Sequence, residues 1–409
     1  LAQKNQQVYS NMKYAAIIPL IGGMVLGAKK ATGQDPEFIL SYDAFQSNDS
    51  HCRENFPEVP YGLIGDAGVN WDRPFIGTTD GIDMVVSLCP CAGLSALNSS
   101  TKEGSEKARG GDAIQNEWMY KSSEYVLETL QPQVLWGENA PGLYTALGKK
   151  VADRLYEIGK KHGYSFSMIK TSTSHHGIPQ NRTRSFYFFW KGETAPLLDW
   201  IDKPSETLEE YIARAPQGDY SDKYFMKDDL TNDPLYQWLR DVEKKTPHEA
   251  ALEGNRSVLI YIFREQSRVN SVLEYLEART DAKAEKYLAL VKRATQKRVW
   301  DSTPHINATN IPAVVGRTLQ LSVHPTEQRW MNVQELMWLM GIDENFKLAH
   351  EGYTQISQNV PVNTAADWTA QVLKGMAGEL EDSGVDYLKQ DNTVKRIDTK
   401  IKQTSKNLF

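Results

Sequence analysis

The chain is poor in cysteine, with only Cys52, Cys89 and Cys91 in 409 residues. Two of the three stand too close together to staple anything, so no disulfide framework is available and the usage suits a reducing interior. No Cys–His cluster has metal-ligand spacing, and no metal is expected. Long apolar runs are missing as well. Tyr14 to Ala28 follows Lys13 but spans 15 residues and is broken by Pro19, Gly22, Gly23 and Gly27, too short and interrupted for a bilayer span. It reads as a buried strand feeding a glycine turn, and no membrane partner is expected. Bulk positive charge is absent too: 46 Lys and Arg face 52 Asp and Glu, a net charge of −6. Any polyanion site must therefore come from local clustering. The average hides an asymmetry, since residues 191–254 carry 8 basic against 15 acidic side chains and residues 255–330 carry 12 against 7. There is no internal repeat and no low-complexity tract.

What is present is enough for a large core, at 40% hydrophobic content, and for division into two domains. Strand-like runs at Ala15–Ile18, Phe38–Tyr42, Met84–Leu88, Val134–Trp136, Phe166–Lys170 and Phe186–Trp190 alternate with helix-like runs at Ala113–Leu130 and Leu147–His162. That alternation predicts a parallel sheet wrapped by helices. Composition changes at Lys191, and an irregular second domain with a charged helix from Gln266 to Arg298 is expected over 191–328. Helical periodicity returns at Asn332–Met340 and Asn363–Met376, so the first domain comprises 1–190 plus 329–379. Residues 380–409 are polar and lysine-rich, and read as a tail forming a surface helix or a mobile segment.

The most informative stretch is Leu88-Cys89-Pro90-Cys91-Ala92-Gly93-Leu94-Ser95. A cysteine just past the carboxyl end of a parallel strand faces the ligand crevice. Gly137-Glu138-Asn139-Ala140-Pro141 follows a second apolar run, and Pro179-Gln180-Asn181-Arg182-Thr183-Arg184 precedes a third. Thiol, carboxyl and guanidinium thus all fall at strand ends. Upstream, Ile21-Gly22-Gly23 follows a strand and opens a helix, where glycines let a ligand approach the backbone. Asp43 ends the next strand 20 residues after Gly23, the spacing at which a carboxylate accepts bonds from ribose hydroxyls. Asp66, after a third segment, could take an adenine amino group. Plainer readings stand beside these: ordinary turns, solvated aspartates, Cys89 and Cys91 as small hydrophobes or half a metal site, Glu138 as a helix cap, and Arg182 and Arg184 as strand cations paired with surface carboxylates.

In order and coverage these blocks resemble the C5-cytosine-specific DNA methyltransferases: the glycine loop, Asp43, Asp66, Pro90-Cys91, Glu138-Asn139 and Gln180-x-Arg182-x-Arg184, then a variable insert, His324-Pro325, Arg329, Asn332-Val333-Gln334-Glu335 and Gln355 to Pro361. The resemblance implies an α/β fold, a doubly wound, mostly parallel Rossmann-like sheet of the S-adenosylmethionine-dependent methyltransferase type, with a smaller target-recognition domain inserted over 191–328. It implies S-adenosylmethionine as donor, held by Ile18, Gly22, Gly23, Asp43, Asp66, Pro90, Asn359 and Val360, and double-stranded DNA as partner. A monomer is expected, acting in the cytoplasm or nucleoid if the chain is of prokaryotic or phage origin, and a separate restriction endonuclease is a candidate partner. Two departures fall in the donor loops. The family's Phe-x-Gly-x-Gly-Gly reads Ile18-Pro19-Leu20-Ile21-Gly22-Gly23, and its Gly-Asn-Ser-Val-Pro reads Ser357-Gln358-Asn359-Val360-Pro361.

The chemistry explains the residue types. Cytosine C5 is a poor nucleophile until a thiolate adds at C6 and breaks the aromaticity, and Cys91 is the candidate. Its pKa must fall from about 8.5 for the thiolate to be populated at neutral pH; Arg182 and a helix N-terminus after Ser95 are expected to lower it. Addition pushes charge toward N3 and O2. Glu138 is the candidate at N3, its pKa raised by desolvation, and Arg184 at O2, with Arg182 and Gln180 orienting the group and Asn139 fixing the turn; Gln180 and Asn139 are also expected, with Ser95, among the residues that contact the DNA substrate.

A base inside a duplex must be extruded. Ser95 to Gly111, with Arg109 among its cations, suits a closing lid or a surface loop. Within the insert Lys292, Arg293, Lys297 and Arg298, with Arg317 and His324 near its return, are candidates for phosphate contacts; Lys292 to Arg298 could equally be a solvated helix end. His175 and His176 read as solvated loop histidines. Other readings of the chain are RNA as substrate, a different sulfonium donor, or a DNA-binding paralogue without turnover.

Overall fold

The computed structural model describes residues 12–95, 110–216, 232–246, 249–250, 253–254, 258–296, 311–314, 324–327, 331–349 and 353–393. Arg109, Lys297, Arg298, Arg317 and Arg329 lie outside the described residues, as does most of the expected lid.

Nine strands form one sheet: β1 (Tyr14–Ile17), β2 (Ile39–Ser41), β3 (Tyr61–Gly65), β4 (Gly68–Trp71), β5 (Met84–Leu88), β6 (Val134–Asn139), β7 (Tyr164–Ser172), β9 (Thr183–Lys191) and β11 (Tyr387–Asp391), in the order β11-β7-β9-β6-β5-β1-β2-β3-β4. A short pair, β8 (Gln180–Asn181) and β10 (Ile311–Pro312), stands apart. Strands β9 and β4 run antiparallel to their neighbours, and the other strands of the large sheet run parallel. Chain order reverses between β1 and β5, so the crevice outside their carboxyl ends is where such a sheet binds ligands. Every residue of β5 and β6 is buried, as expected of strands covered on both faces. The aromatic run of β9 supplies both layers: Phe188 stacks on Trp136 with ring centroids 5.9 Å apart, while Phe189 meets Phe166 at 5.1 Å.

Helix α1 (Gly23–Thr32) follows β1, α2 (Gln46–Asn55) follows β2, α3 (Glu117–Tyr125) precedes β6, and α4 (Lys149–Lys161) precedes β7. Gly22 starts α1 with φ 104°, and Gly33 ends it with φ 76°, left-handed positions that glycine occupies without penalty. In the insert, the expected single helix is two, α5 (Gln266–Glu277) and α6 (Ala282–Gln296). The break falls at Asp281, which accepts the Ala284 amide at 2.8 Å and pairs with Arg279, the pattern of an N-cap. These helices share a core of their own with Leu235, Trp238 and Tyr261. After the insert come α7 (Val333–Trp338) and α8 (Val362–Met376). Helix α8 lies against α1 so closely that a Cβ at Gly27 would sit 2.4 Å from Ala365 Cβ.

Two expectations about boundaries change. Residues 380–393 are no tail: β11 pairs with β7 from Tyr387↔Phe166 to Asp391↔Lys170 and closes the sheet edge. Its alternation is masked by lysine and glutamine at an edge position, so composition alone suggested surface. Nor does the first unit stop at Lys191, since Ala195, Leu197, Leu198 and Ile201 enter the main core. Their segment is held by Gln390 and Asn392, which accept the Leu198 and Ile201 amides at 3.0 and 3.1 Å. No helix among the described residues is long and apolar enough to cross a membrane, and among them no cluster of His, Cys, Asp or Glu could hold a metal ion.

Candidate active site

Strand register brings the predicted groups together. Leu88 pairs with Glu138 across β5 and β6, and Asn139 pairs with Ser185 across β6 and β9. Cys91 lies three positions past Leu88 and Arg184 one before Ser185, so thiol, carboxyl and guanidinium share one end of three adjacent strands. Cys91 is partly exposed and opens a single helical turn, Ala92–Leu94. Glu138 is 4% exposed. Its Oε1 lies 2.9 Å from Arg184 Nε, an ion pair without hydrogen-bond alignment that leaves Oε1 buried and short of a partner. Arg184 Nη1 donates to Thr183 O at 2.7 Å.

Electrostatics favour an acid at Glu138 and oppose the expected thiolate at Cys91. Burial pushes the Glu138 carboxyl up, against the pull of Arg184 and then Arg182. Burial also pushes the Cys91 thiol up, Glu138 adds to the rise, and Arg184 and Arg182 offset only part of it. The expectation of a lowered thiol is thus corrected for the protein alone: removing a small anion from water beside a carboxylate outweighs two nearby cations. The lowering expected from a helix N-terminus after Ser95 has no counterpart among the described residues.

Three predicted site residues are occupied in building the frame. Arg182, 2% exposed, donates from Nη1 to Val314 O at 2.7 Å and from Nη2 to Ser357 O and Asn359 O at 2.7 and 2.8 Å. Burial pushes it down to about 9, which leaves it cationic at neutral pH. Gln180, fully buried, donates to Leu339 O at 2.8 Å and accepts from the Val314 amide at 3.3 Å; a direct DNA contact is corrected to a bridge between segments. Asn139, likewise buried, accepts the Ala140 amide at 2.9 Å and reaches Pro90 O at 3.5 Å, which fixes the turn, as expected, but takes it away from DNA.

The predicted donor corner assembles at the carboxyl ends of β1, β2 and β3. The Gly23 amide donates to Asn359 Oδ1 at 2.9 Å, and a Cβ at Gly23 would stand 2.1 Å from Val360 O. Asn359 Nδ2 is buried and has no hydrogen-bond partner among the described residues. Asp43 and Asp66 are exposed, Asp66 at the tip of the β3–β4 hairpin. Ile18 and Val360 are wholly buried in the core, so their side chains are not presented to a ligand. Ile18 and Leu20 both have φ 51°, a left-handed conformation costing a side-chain-bearing residue about 1–3 kcal/mol. Leu20 stands where the resembling family has glycine, which explains that glycine.

Asp49 was not legible as a functional residue. It is wholly buried on α2, accepts the Leu20 amide at 2.9 Å with Oδ1, and accepts Tyr61 Oη–H at 2.9 Å with Oδ2. Its position among Phe45, Cys52 and Phe56 on one helix face was the available signal: a carboxylate in an apolar stripe needs a partner.

Of the two loop histidines, His175 is half-buried and His176 is not solvated. His176 is 2% exposed, with Nδ1 at 2.9 Å from Asp367 and Nε2 at 2.9 Å from Thr171 Oγ1; His175 pairs with Asp202 at 3.0 Å. His324 is also buried and accepts the Glu327 amide at 3.0 Å, a turn cap instead of a phosphate contact. Lys292 pairs with Glu277 at 2.7 Å across the α5–α6 hairpin, and Arg293 is exposed. Ser95 is half-buried at the mouth of the site.

A doubly wound sheet of this order, mostly parallel with β9 antiparallel inside it and β4 antiparallel at its edge, is the Rossmann-like fold of methyltransferases. The profile of the C-5 cytosine-specific DNA methylases matches residues 12–374, and the chain belongs to that family. It is 24% identical over 245 residues to the Type II methyltransferase M.BanI of Aneurinibacillus aneurinilyticus, an alignment covering 58% of this chain and 49% of that protein. The chain thus spans about half the length of this curated relative. A solved structure of a DNA modification methyltransferase encoded within an E. coli prophage superposes with a TM-score of 0.52 at 17% identity, covering 90% of this chain and 100% of that one.

Proposed function

We propose that this protein transfers a methyl group from S-adenosylmethionine to C5 of a cytosine flipped out of duplex DNA, through a covalent bond between Cys91 and C6. The observation that carries the reading is the shared strand-end position of Cys91, Glu138 and Arg184. The donor supplies an electrophilic methyl group. The fit of the donor corner rests on the exposed carboxylates of Asp43 and Asp66, the helix N-terminus at Gly23 and the buried amide of Asn359, unpaired among the described residues.

The residues divide the work as follows. Cys91 adds to C6 as thiolate while Glu138, protonated because it is buried, donates to N3, so charge that leaves sulfur is neutralised on the ring. Arg184 holds O2 and keeps Glu138 in place. Once C5 carries the methyl group, its proton leaves to a base or water, the C6–S bond breaks and releases the Cys91 thiolate, and N3 returns its proton to Glu138. Arg182, Gln180 and Asn139 act as positioning residues, since both Nη atoms of Arg182 and the side-chain amides of Gln180 and Asn139 bond backbone. The insert serves as target-recognition domain, with Arg293 and the α5–α6 hairpin toward phosphate.

Incubation with duplex DNA and S-adenosylmethionine, then mass analysis of the digested nucleosides, tests this. The expected product is 5-methylcytosine. A heavier adduct would replace the donor, and methylation of RNA alone would replace the substrate.

A further inference from the structure

The donor loop of this chain carries a conformational problem that its own sequence creates. Leu20 holds φ 51° with a full side chain and is 7% exposed, in a loop that must return from β1 into α1. The segment between them is short, so Leu20 sets the direction in which the Gly22 and Gly23 amides point. A leucine left to itself returns to the right-handed or extended region. Something must hold it.

The group in position is Asp49. Its Oδ1 accepts the Leu20 amide at 2.9 Å, and its Oδ2 is fixed in turn by Tyr61 Oη–H at 2.9 Å. Tyr61 begins β3, and the Arg53 guanidinium lies 4.2 Å from its ring centroid, so the carboxylate is braced by a strand of the central sheet. Asp49 is wholly buried; a carboxylate is placed there only at a desolvation penalty, which its two hydrogen bonds offset in part. Such an arrangement has a purpose in the loop rather than in the core, where an apolar residue would pack at lower cost.

We propose that Asp49 is a positioning residue of the donor loop: by gripping the Leu20 amide it imposes the left-handed turn that a glycine would adopt unaided, and so keeps the α1 N-terminus open to the methyl donor. The inference rests on reading residues 18–23 as the donor loop, and its test therefore has one arm that needs no donor.

In the donor-free arm, amide hydrogen exchange at Leu20 is followed in the full chain. Asp49→Ala should speed exchange at Leu20 tenfold or more, whereas Asp49→Asn, which keeps an acceptor oxygen, should stay within about threefold. In the second arm, calorimetry measures S-adenosylmethionine binding. Asp49→Ala should weaken it at least tenfold, Asp49→Asn should restore most of the affinity, and the effect of Asp49→Ala should shrink below threefold in a Leu20→Gly background, because glycine needs no grip. Turnover at saturating donor should fall much less than affinity. If Asp49→Ala does not fold, Tyr61→Phe replaces it and should raise both exchange and Kd severalfold. Unchanged exchange at Leu20, or equal losses in the Ala and Asn variants, overturns the proposal. Wild-type protein that binds no donor, with the exchange pattern as expected, would instead overturn the donor-loop reading and leave the grip standing.

Discussion

Replacing Arg182 by lysine separates charge from geometry at the joint of the site. The guanidinium donates to three carbonyls, Val314 O, Ser357 O and Asn359 O, at 2.7, 2.7 and 2.8 Å. These belong to the end of the insert and to the loop that meets Gly23. A lysine keeps the charge, but its single ammonium cannot span acceptors arranged for a planar fork. With one carbonyl retained and two left unsatisfied at about 1–3 kcal/mol each, the loss is about 2–6 kcal/mol. That is a large share of an ordinary domain's stability. Denaturant unfolding measures the total, and amide exchange over 357–361 locates it. The expected result is a clear drop in midpoint with exchange rising first in that loop. Arg182→Lys within about 1 kcal/mol of wild type, with unchanged exchange there, would refute the clasp.

Four further outcomes are expected. Glu138→Gln should lower kcat/KM by about 10²–10⁴-fold with little change in stability, measured by methyl incorporation into duplex DNA. The pH profile carries a second signature of the same group. Activity needs protonated Glu138 with ionised Cys91, and both are raised by burial; rate should therefore climb with pH to the Glu138 ionisation, run flat, and fall above that of Cys91. In Glu138→Gln the fall should disappear and the climb continue. Gly23→Ala should destabilise the protein by about 1–3 kcal/mol or more and impair donor binding, because its Cβ would press on Val360 O and Asn359; an unperturbed Tm would contradict the packing. Asp49 offers a linkage test: burial raises it from 3.8 to about 6, against the hydrogen bonds it accepts. The folded state then holds its proton longer than the unfolded one, so this group's contribution is most favourable below about pH 4 and is lost as pH rises through about 6. Relative to wild type, Asp49→Asn should gain up to about 3 kcal/mol between pH 4 and 7; a pH-independent difference would show that the carboxyl titrates normally.

The catalytic sheet was readable because its strands are apolar runs bounded by glycine and proline, and because Cys91, Glu138 and Arg184 each follow or precede such a run. What escaped was the use of buried polarity. Arg182, Gln180 and Asn139 have the residue types of a ligand site, yet their donors end on carbonyls of segments more than a hundred positions away in the first two cases, contacts that no local pattern displays. His176 and His324 look like loop histidines until Asp367 and Glu327 are folded against them. Strand β11 was missed for the same reason in reverse: Tyr387-Leu388-Lys389-Gln390-Asp391 packs only Tyr387 and Leu388 as apolar groups, and Gln390 is buried to hold the Leu198 amide and carbonyl.

The most direct measurement is covalent trapping on a duplex carrying 5-fluorocytosine in place of cytosine, with S-adenosylmethionine present. Fluorine at C5 cannot leave as a proton does, so a bond from Cys91 to C6 should persist as a stable protein–DNA adduct, mapped by mass spectrometry to Cys91 and absent in Cys91→Ser. A protein that binds the donor and methylates DNA without any adduct, or one in which Cys91→Ser still forms it, would contradict the assignment of this sulfur.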